Sequence, residues 1–280
     1  SLASWKRVDN VLTEPIQIKD VEDNELLNKD VEGSIEFENV DFRYPGADEK
    51  AISNVSFKIE KGATAAFVGR TGAGKTTLVN LIPRLFDATG GSVKVDGIDV
   101  KNWSTSALRR GIGYVPQETF LFSPTMKENI AFGVEDASMK QIETAAEKAN
   151  VLQNILEFEK KFETMVGERG ITLSGGQKQR TAIARALIKD PSIIILDDSL
   201  SAVDTKTEDE ILRHLREQRS GNTTLMISHR ISTVKNADII FYLENGSIVE
   251  QGSHEKLLSL EGRYARMYQK QLLEEQLAQI

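Results

Sequence analysis

The chain has 280 residues, of which 40% are hydrophobic and 28% charged, and a net charge of −7. That length and balance allow one large domain or two small ones with a substantial core, and they exclude general disorder. The acidic balance argues against a nucleic-acid partner, which needs a basic face; the absence of cysteine excludes disulfides and thiolate metal sites, and three histidines leave little for zinc.

In chain order, residues 1–16 place Trp5, Val8, Val11 and Leu12 at helical spacing until Pro15 stops the pattern. Residues 19–32 carry six acids and two lysines and read as a solvated linker. SIEFENVDF (34–42) and AISNVSFKI (51–59) alternate like strands, and TAAFVG (64–69) reads as a buried strand entering a glycine-rich turn. A helix is predicted from Thr76 to Leu85. Asp96-Gly97 and Asn245-Gly246 lie between strand-like runs and predict tight hairpin turns. Residues 124–165 read as mostly helical. IIIL (193–196) and TTLMIS (223–228) are further strands, and 253–280 reads as a helical tail that either packs on the core or meets a partner's tail. No fixed-period repeat is present. Strands alternating with helices predict a mixed α/β core with a parallel central sheet. No run of 18 apolar residues and no signal peptide occurs. The chain begins at Ser1 rather than Met and reads as a processed or excised piece, which is compatible with membrane segments lost from it.

Residues 69–76, GRTGAGKT, fit G-x-x-x-x-G-K-[ST] between a predicted strand and a predicted helix. Glycines let backbone N–H groups converge on one anion, and a following helix start favours negative charge. Lys75 would supply a point charge for β- and γ-phosphates, and Thr76 a hydroxyl for Mg²⁺. Asp197 ends the apolar strand at 193–196, where a carboxylate can hold Mg²⁺ directly or through water.

At 173–180 the chain reads LSGGQKQR, and here it resembles the nucleotide-binding domain of an ATP-binding-cassette (ABC) transporter. The resemblance covers about residues 34–260. It rests on seven pieces in order: YP (44–45), GRTGAGKT, VPQE (115–118), LSGGQ (173–177), IIILDD (193–198), SLSAVD (199–204) and ISHR (227–230). It implies a P-loop NTPase core of the ABC type, with a mixed central sheet, an antiparallel β-subdomain and an inserted α-helical subdomain at about 118–172. Residues 1–33 would be the linker after a transmembrane domain, 34–252 the ATP-binding domain and 253–280 the tail.

The resemblance also implies two such domains packed head to tail around two ATP molecules. Gly69, Arg70, Thr71, Gly72, Ala73, Gly74, Lys75, Thr76 and Thr77 would cradle the nucleotide of one site. Ser174, Gly175, Gly176 and Gln177 would reach the γ-phosphate bound to the partner. Tyr44 would stack on adenine. Gln117 would reach the metal or the attacking water, with Thr76 and Asp197 as the other metal-side groups. His229 would contact the γ-phosphate, and Asp204 would help the two sites communicate. ETMVGERG (163–170), with Glu168, and SWKRVDNVL near the start resemble the exporter branch, in which such segments touch or follow the transmembrane domain.

Most active members of that family carry Glu after the metal-holding Asp; this chain has Asp198. Aspartate has nearly the same solution pKa but a reach shorter by about one C–C bond, near 1.5 Å. Misplacing a catalytic group by about 1 Å can cost on the order of 10²-fold. The expectation is therefore a site that binds Mg-ATP well and hydrolyses it slowly. That pattern fits one subunit of a heterodimer whose partner keeps Glu, in preference to a homodimer with slower chemistry, because LSGGQ is intact here. A module that dimerises on ATP with little turnover is the alternative. Chromosome or repair ABC proteins carry a long coiled-coil insertion before LSGGQ, whereas here Gln117 and Ser174 lie fewer than 60 residues apart. The expected location is the cytoplasmic face of a bacterial plasma membrane. Multidrug, lipid and peptide cargo all stay open.

Overall fold

A computed structural model of the chain describes residues 2–13, 18–20, 25–122, 125–167, 171–217 and 221–277. The first half runs α1 (Leu2–Thr13), β1 (Ile35–Phe42), β2 (Ile52–Ile59), β3 (Thr64–Gly69), α2 (Lys75–Asn80), β4 (Gly90–Val95), β5 (Ile98–Asp99), α3 (Thr105–Arg110) and β6 (Ile112–Val115). Then come α4 (Met126–Ala131), α5 (Met139–Lys148), α6 (Leu152–Glu157), α7 (Gly175–Leu187) and β7 (Ile193–Asp197). The chain continues through α8 (Thr205–Glu217), β8 (Thr223–Ile227), α9 (Ile231–Val234), β9 (Ile239–Glu244), β10 (Ser247–Gly252), α10 (His254–Ser259) and α11 (Arg263–Leu277).

The strands form two sheets. One is antiparallel, in the order β2-β1-β4-β5; the other, β10-β9-β3-β8-β7-β6, is parallel apart from its β10 edge. Both dipeptide turns form as their sequences require, with φ of 54° and 73° at Asp96-Gly97 and 48° and 76° at Asn245-Gly246. Positive φ at both central residues matches the right-handed twist of the flanking strands. In β1 the buried set shifts from Ile35 and Phe37 to Val40 and Phe42. An irregularity between Phe37 and Val40 absorbs the extra residue, with Asn39 at φ 47°.

Alternation along β3 divides the core. Ala65 and Phe67 face the antiparallel sheet, where Phe67 stacks on Phe241 and Phe57 tilts against both; Ala66 and Val68 face the helices, among Ile130, Ile142, Ala146, Ile183 and Ile211. Helices α4 to α7 lie between β6 and β7 in sequence. The helix expected to reach Leu85 stops at Asn80. Pro83 explains the early end: it lacks an N–H and its ring would meet the carbonyl four residues back. The tail breaks into α10 and α11 at Glu261 (φ 50°) and Gly262.

The end of the acidic stretch, at 29–32, is less solvated than its charge suggests. Val31 is buried against Gly111, where an added Cβ would come within 2.5 Å of Val31, and Lys29 sits over the Trp103 ring. The chain then enters β1 through a clamp. The Asp96 carboxylate accepts from the N–H groups of Glu32 (2.7 Å), Gly33 (2.9 Å) and Ser34 (2.8 Å). Thr223 donates its hydroxyl to the Gly33 carbonyl at 2.6 Å.

Candidate active site

The phosphate-loop motif connects β3 to α2. Two of its glycines are fixed by crowding. An added Cβ would fall 2.2 Å from the Leu243 carbonyl oxygen at Gly69 and 2.6 Å from that of Ala51 at Gly74, with φ of 142° and 97°. The loop is tied across the sheets: Gly246 donates to the Ala73 carbonyl (3.1 Å), and Ser53 donates to that of Gly246 (2.9 Å). The β9–β10 hairpin thus braces the loop from below, and Ala73 is buried beneath it.

Lys75 is only 6% exposed. Its Nζ donates to the carbonyls of Gly69 and Arg70, both at 2.9 Å. Burial pushes its pKa down, and the nearby Asp197 and Asp198 carboxylates push it back up. Thr76 donates its hydroxyl to Asp197 Oδ1 at 3.1 Å. The Tyr114 hydroxyl stands 2.9 Å from Asn80 Oδ1 and 3.4 Å from Asp197 Oδ2. Asp197 is 1% exposed, and burial raises its carboxyl pKa above the usual range against the opposing hydrogen bonds. Thr76, Asp197 and Gln117 offer hydroxyl, carboxylate and amide oxygens, the hard donor set that Mg²⁺ takes. A buried carboxylate with a raised pKa is a destabilised anion that a divalent cation would relieve.

This has a consequence for pH. A carboxyl whose folded pKa lies above its unfolded value costs stability as pH rises through that window. Asp197→Asn keeps an acceptor for Thr76 and removes the charge. It is expected to raise the Tm of the ligand-free chain at neutral pH by about 2–4 °C, the equivalent of about 1 kcal/mol. It should also flatten the loss of stability above the ordinary carboxylate range, as thermal unfolding at several pH values would read.

A cleft of about 320 Å³ gathers Tyr44, Thr71, Gly72, Gly74, Lys75, Thr76, Thr77, Gln117, Asp197, Asp198 and His229. Gly69 and Arg70 line an adjoining groove, which shares Thr71 and His229 with the cleft. Tyr44 is braced edge-on by Phe42 and Phe86, and its hydroxyl lies 3.0 Å from Thr77 Oγ1. Gln117 and His229 present exposed side chains. Asp198 has φ 44°, donates its N–H to the Ile227 carbonyl (2.9 Å) and accepts from the Ser201 hydroxyl (2.9 Å) through its own carbonyl. Its backbone is therefore pinned on both sides.

Ser174, Gly175, Gly176 and Gln177 line neither space; they begin α7. Ser174 Oγ accepts from the Gln177 N–H, and the Gln177 side chain accepts from that of Ser174, a capping box. Asp204 accepts from the Thr207 N–H at the start of α8. Glu168 lies outside the described residues.

Several contributors escaped the sequence reading. Tyr114, held by Asn80, lies beside the Asp197 carboxylate. Gln179 bonds Ser201 Oγ (3.1 Å) and the Ala202 N–H (2.9 Å), joining α7 to the loop after Asp198. Arg230 donates to the carbonyls of Ser201 (2.8 Å) and Val203 (3.1 Å) and to buried Glu208 (3.1 Å). Gln179 lies within the LSGGQKQR string and Arg230 within ISHR, though neither string says what its side chain holds; Tyr114 and Asn80 carry no local pattern.

Comparison with known proteins gives a consistent result. A family model described as ABC transporter matches residues 52–201. The Bacillus subtilis protein YgaD, whose name joins ATP binding to a permease, is 42% identical over 268 residues, covering 96% of this chain and 46% of that protein. An ATP-dependent lipid A-core flippase of Desulfotalea psychrophila is 44% identical over 270 residues, 96% of this chain and 47% of its own length. A solved bacterial Atm1-family ABC exporter with ATP bound superposes with a TM-score of 0.90 at 38% identity, covering 96% of this chain and 47% of that one. The chain spans about half the length of these relatives.

Proposed function

Because the chain belongs to the ABC transporter family, we propose that it is the ATP-binding and ATP-hydrolysing motor domain of an exporter. One observation carries this reading. Five separate segments bring Tyr44, the 71–77 loop, Gln117, Asp197–Asp198 and His229 to one cleft, while the remaining donors, Ser174 to Gln177, sit outside it. Half of a γ-phosphate cradle is then missing from any single chain, and a second domain packed head to tail would supply it.

In this reading Tyr44 stacks on adenine, and the backbone N–H groups of residues 69–77 surround the phosphates. Lys75 turns from the Gly69 and Arg70 carbonyls to the β- and γ-oxygens, and His229 meets the γ-phosphate. Mg²⁺, held by Thr76 and Asp197 with Gln117 near, would offset charge between the β- and γ-phosphates. Asp198 orients the attacking water from a short side chain. Closure of two domains completes the site, so hydrolysis is gated by dimerisation, and closure drives attached membrane domains.

The transmembrane domain would belong to the same full-length chain. An exposed aromatic patch supports a docking face for it: Phe120 and Phe132 are 68% and 53% exposed, and both rings lie against Phe122. The described part of the 163–170 segment reaches the same area, because Thr125 bridges to Met165. The location that follows is the cytoplasmic side of a membrane, with a bacterial plasma membrane as the expected one and no nucleic-acid partner. Asp198 favours a heterodimeric partner that keeps Glu. It also supports a second reading, an ATP-gated dimerisation module that completes its partner's active site and turns over little itself.

Light scattering with Mg-ATP tests the head-to-tail arrangement. The chain should dimerise, and Lys75→Ala and Ser174→Arg chains should each fail alone. Mixed together they should dimerise, because one chain keeps the phosphate loop and the other keeps the Ser-Gly-Gly donors. A mixture that stays monomeric rules the arrangement out. Dimers that form without turnover select the second reading.

A further inference from the structure

His229 sits on a turn that has no strand ladder of its own, between β8 and α9. The N-cap of α9 is Arg230, whose side chain has no acceptor to cap with, and no side-chain cap bond forms there. The first N–H groups of a helix need a partner from elsewhere. Here that partner comes from the tail. Gln271 on α11 accepts from the Ile231 N–H at 2.9 Å, and its Nε2 donates to the His229 carbonyl. The orientation of the amide is dictated, since an N–H can only donate and a carbonyl can only accept. Arg230 grips the other side of the turn, through the 201–203 carbonyls and Glu208.

The helix carrying Gln271 is firmly seated. Tyr264, Met267, Tyr268 and Gln271 follow helical spacing, which puts Gln271 at the end of the face packed on the core. Glu250 accepts from the N–H groups of Arg263 (2.5 Å) and Tyr264 (3.0 Å), Arg263 pairs with Glu244 (2.8 Å), and the buried Tyr264 hydroxyl meets His254 Nδ1 (2.7 Å).

We propose that Gln271 is a positioning residue for His229: the C-terminal helix holds the histidine turn at the cleft through a two-point amide clamp. The proposal rests on the reading of His229 as a γ-phosphate contact. Gln271 touches no reacting atom and acts only through the backbone on either side of Arg230. Losing the clamp frees the Ile231 N–H and the His229 carbonyl and leaves the turn held by the Arg230 side chain and by the Ser228 hydroxyl, which accepts from the Arg230 N–H at 3.0 Å; displacement of about 1 Å at a catalytic group is enough for a fall in rate of tenfold or more.

The test is a double-mutant cycle in the intact chain, with His229→Ala, Gln271→Ala and the pair, read by single-turnover Mg-ATP hydrolysis and by ATP affinity. Gln271→Ala is expected to slow hydrolysis about tenfold or more and to move ATP affinity by less than about twofold. In the His229→Ala background it should add nothing, because both changes act through one group. Gln271→Glu keeps the acceptor for the Ile231 N–H and loses the donor to His229, so its rate should fall between wild type and Gln271→Ala. Thermal unfolding shows that each variant is folded. Effects that multiply in the double variant, or a Gln271→Ala chain as fast as wild type, overturn the clamp while leaving the role of His229 intact. A His229→Ala chain with unchanged hydrolysis overturns both.

Discussion

Lys75→Ala is expected to weaken Mg-ATP binding by roughly 30-fold to several thousandfold, measured by titration with a fluorescent ATP analogue. The range follows from removing one member of a buried charge pair, about 2–5 kcal/mol, and from tenfold in affinity per about 1.4 kcal/mol. Much of that loss is phosphate charge left without its partner. The ligand-free chain should tolerate the change far better. Lys75 there is buried against two carbonyls, and its desolvation already works against its charge. Unfolding of the ligand-free variant should therefore stay close to wild type while binding collapses. A variant that binds Mg-ATP as wild type does would place the phosphates elsewhere.

Asp198→Glu is expected to raise steady-state hydrolysis by on the order of 10²-fold, because it restores about one C–C bond of reach. The aspartate cannot recover that reach by moving its backbone. The Ile227 carbonyl holds its N–H, and Ser201 holds its carbonyl. The gain carries a cost that the structure predicts separately. Asp198 is left-handed at φ 44°, a conformation that aspartate adopts more readily than glutamate. The variant should thus lose about 1 kcal/mol, or about 2–4 °C in Tm, while it becomes faster. Equal rates for the two chains would make Asp198 an adequate base and favour a homodimer.

The parts of the fold that sequence could show were those with local causes. Asp96-Gly97 and Asn245-Gly246 announce their turns because few other pairs accept positive φ twice in a row. GRTGAGKT declares its loop for a similar reason, since Gly69 and Gly74 leave no room for a side chain. Pro83 is an equally local cause, since a helix seldom continues through the residue before a proline, and the helix ends at Asn80. The short elements α3 and β6 fall below the length at which periodicity is visible. The supports of the site were hidden for a different reason. Tyr114 to Asn80, Arg230 to Glu208 and Gln271 to the histidine turn are polar pairings over 22 to 42 residues, which no spacing rule relates. Arg230 left a trace as the last residue of ISHR, and Gln271 as a polar residue continuing the stripe set by Tyr264, Met267 and Tyr268.

The clamp at the entry to β1 has a mechanical meaning. Tension arriving from residues upstream of 32 divides at once. One branch passes through Asp96 into the antiparallel sheet, and the other through Gly33 and Thr223 into the parallel sheet. Beyond the clamp, β1 lies between β2 and β4 and is antiparallel to both. A pull along its axis loads two ladders in shear, with many bonds resisting together, instead of peeling one edge bond by bond. The upstream segment is thereby attached at a stiff anchor, and a load applied there displaces both sheets, with the phosphate loop between them, as one body.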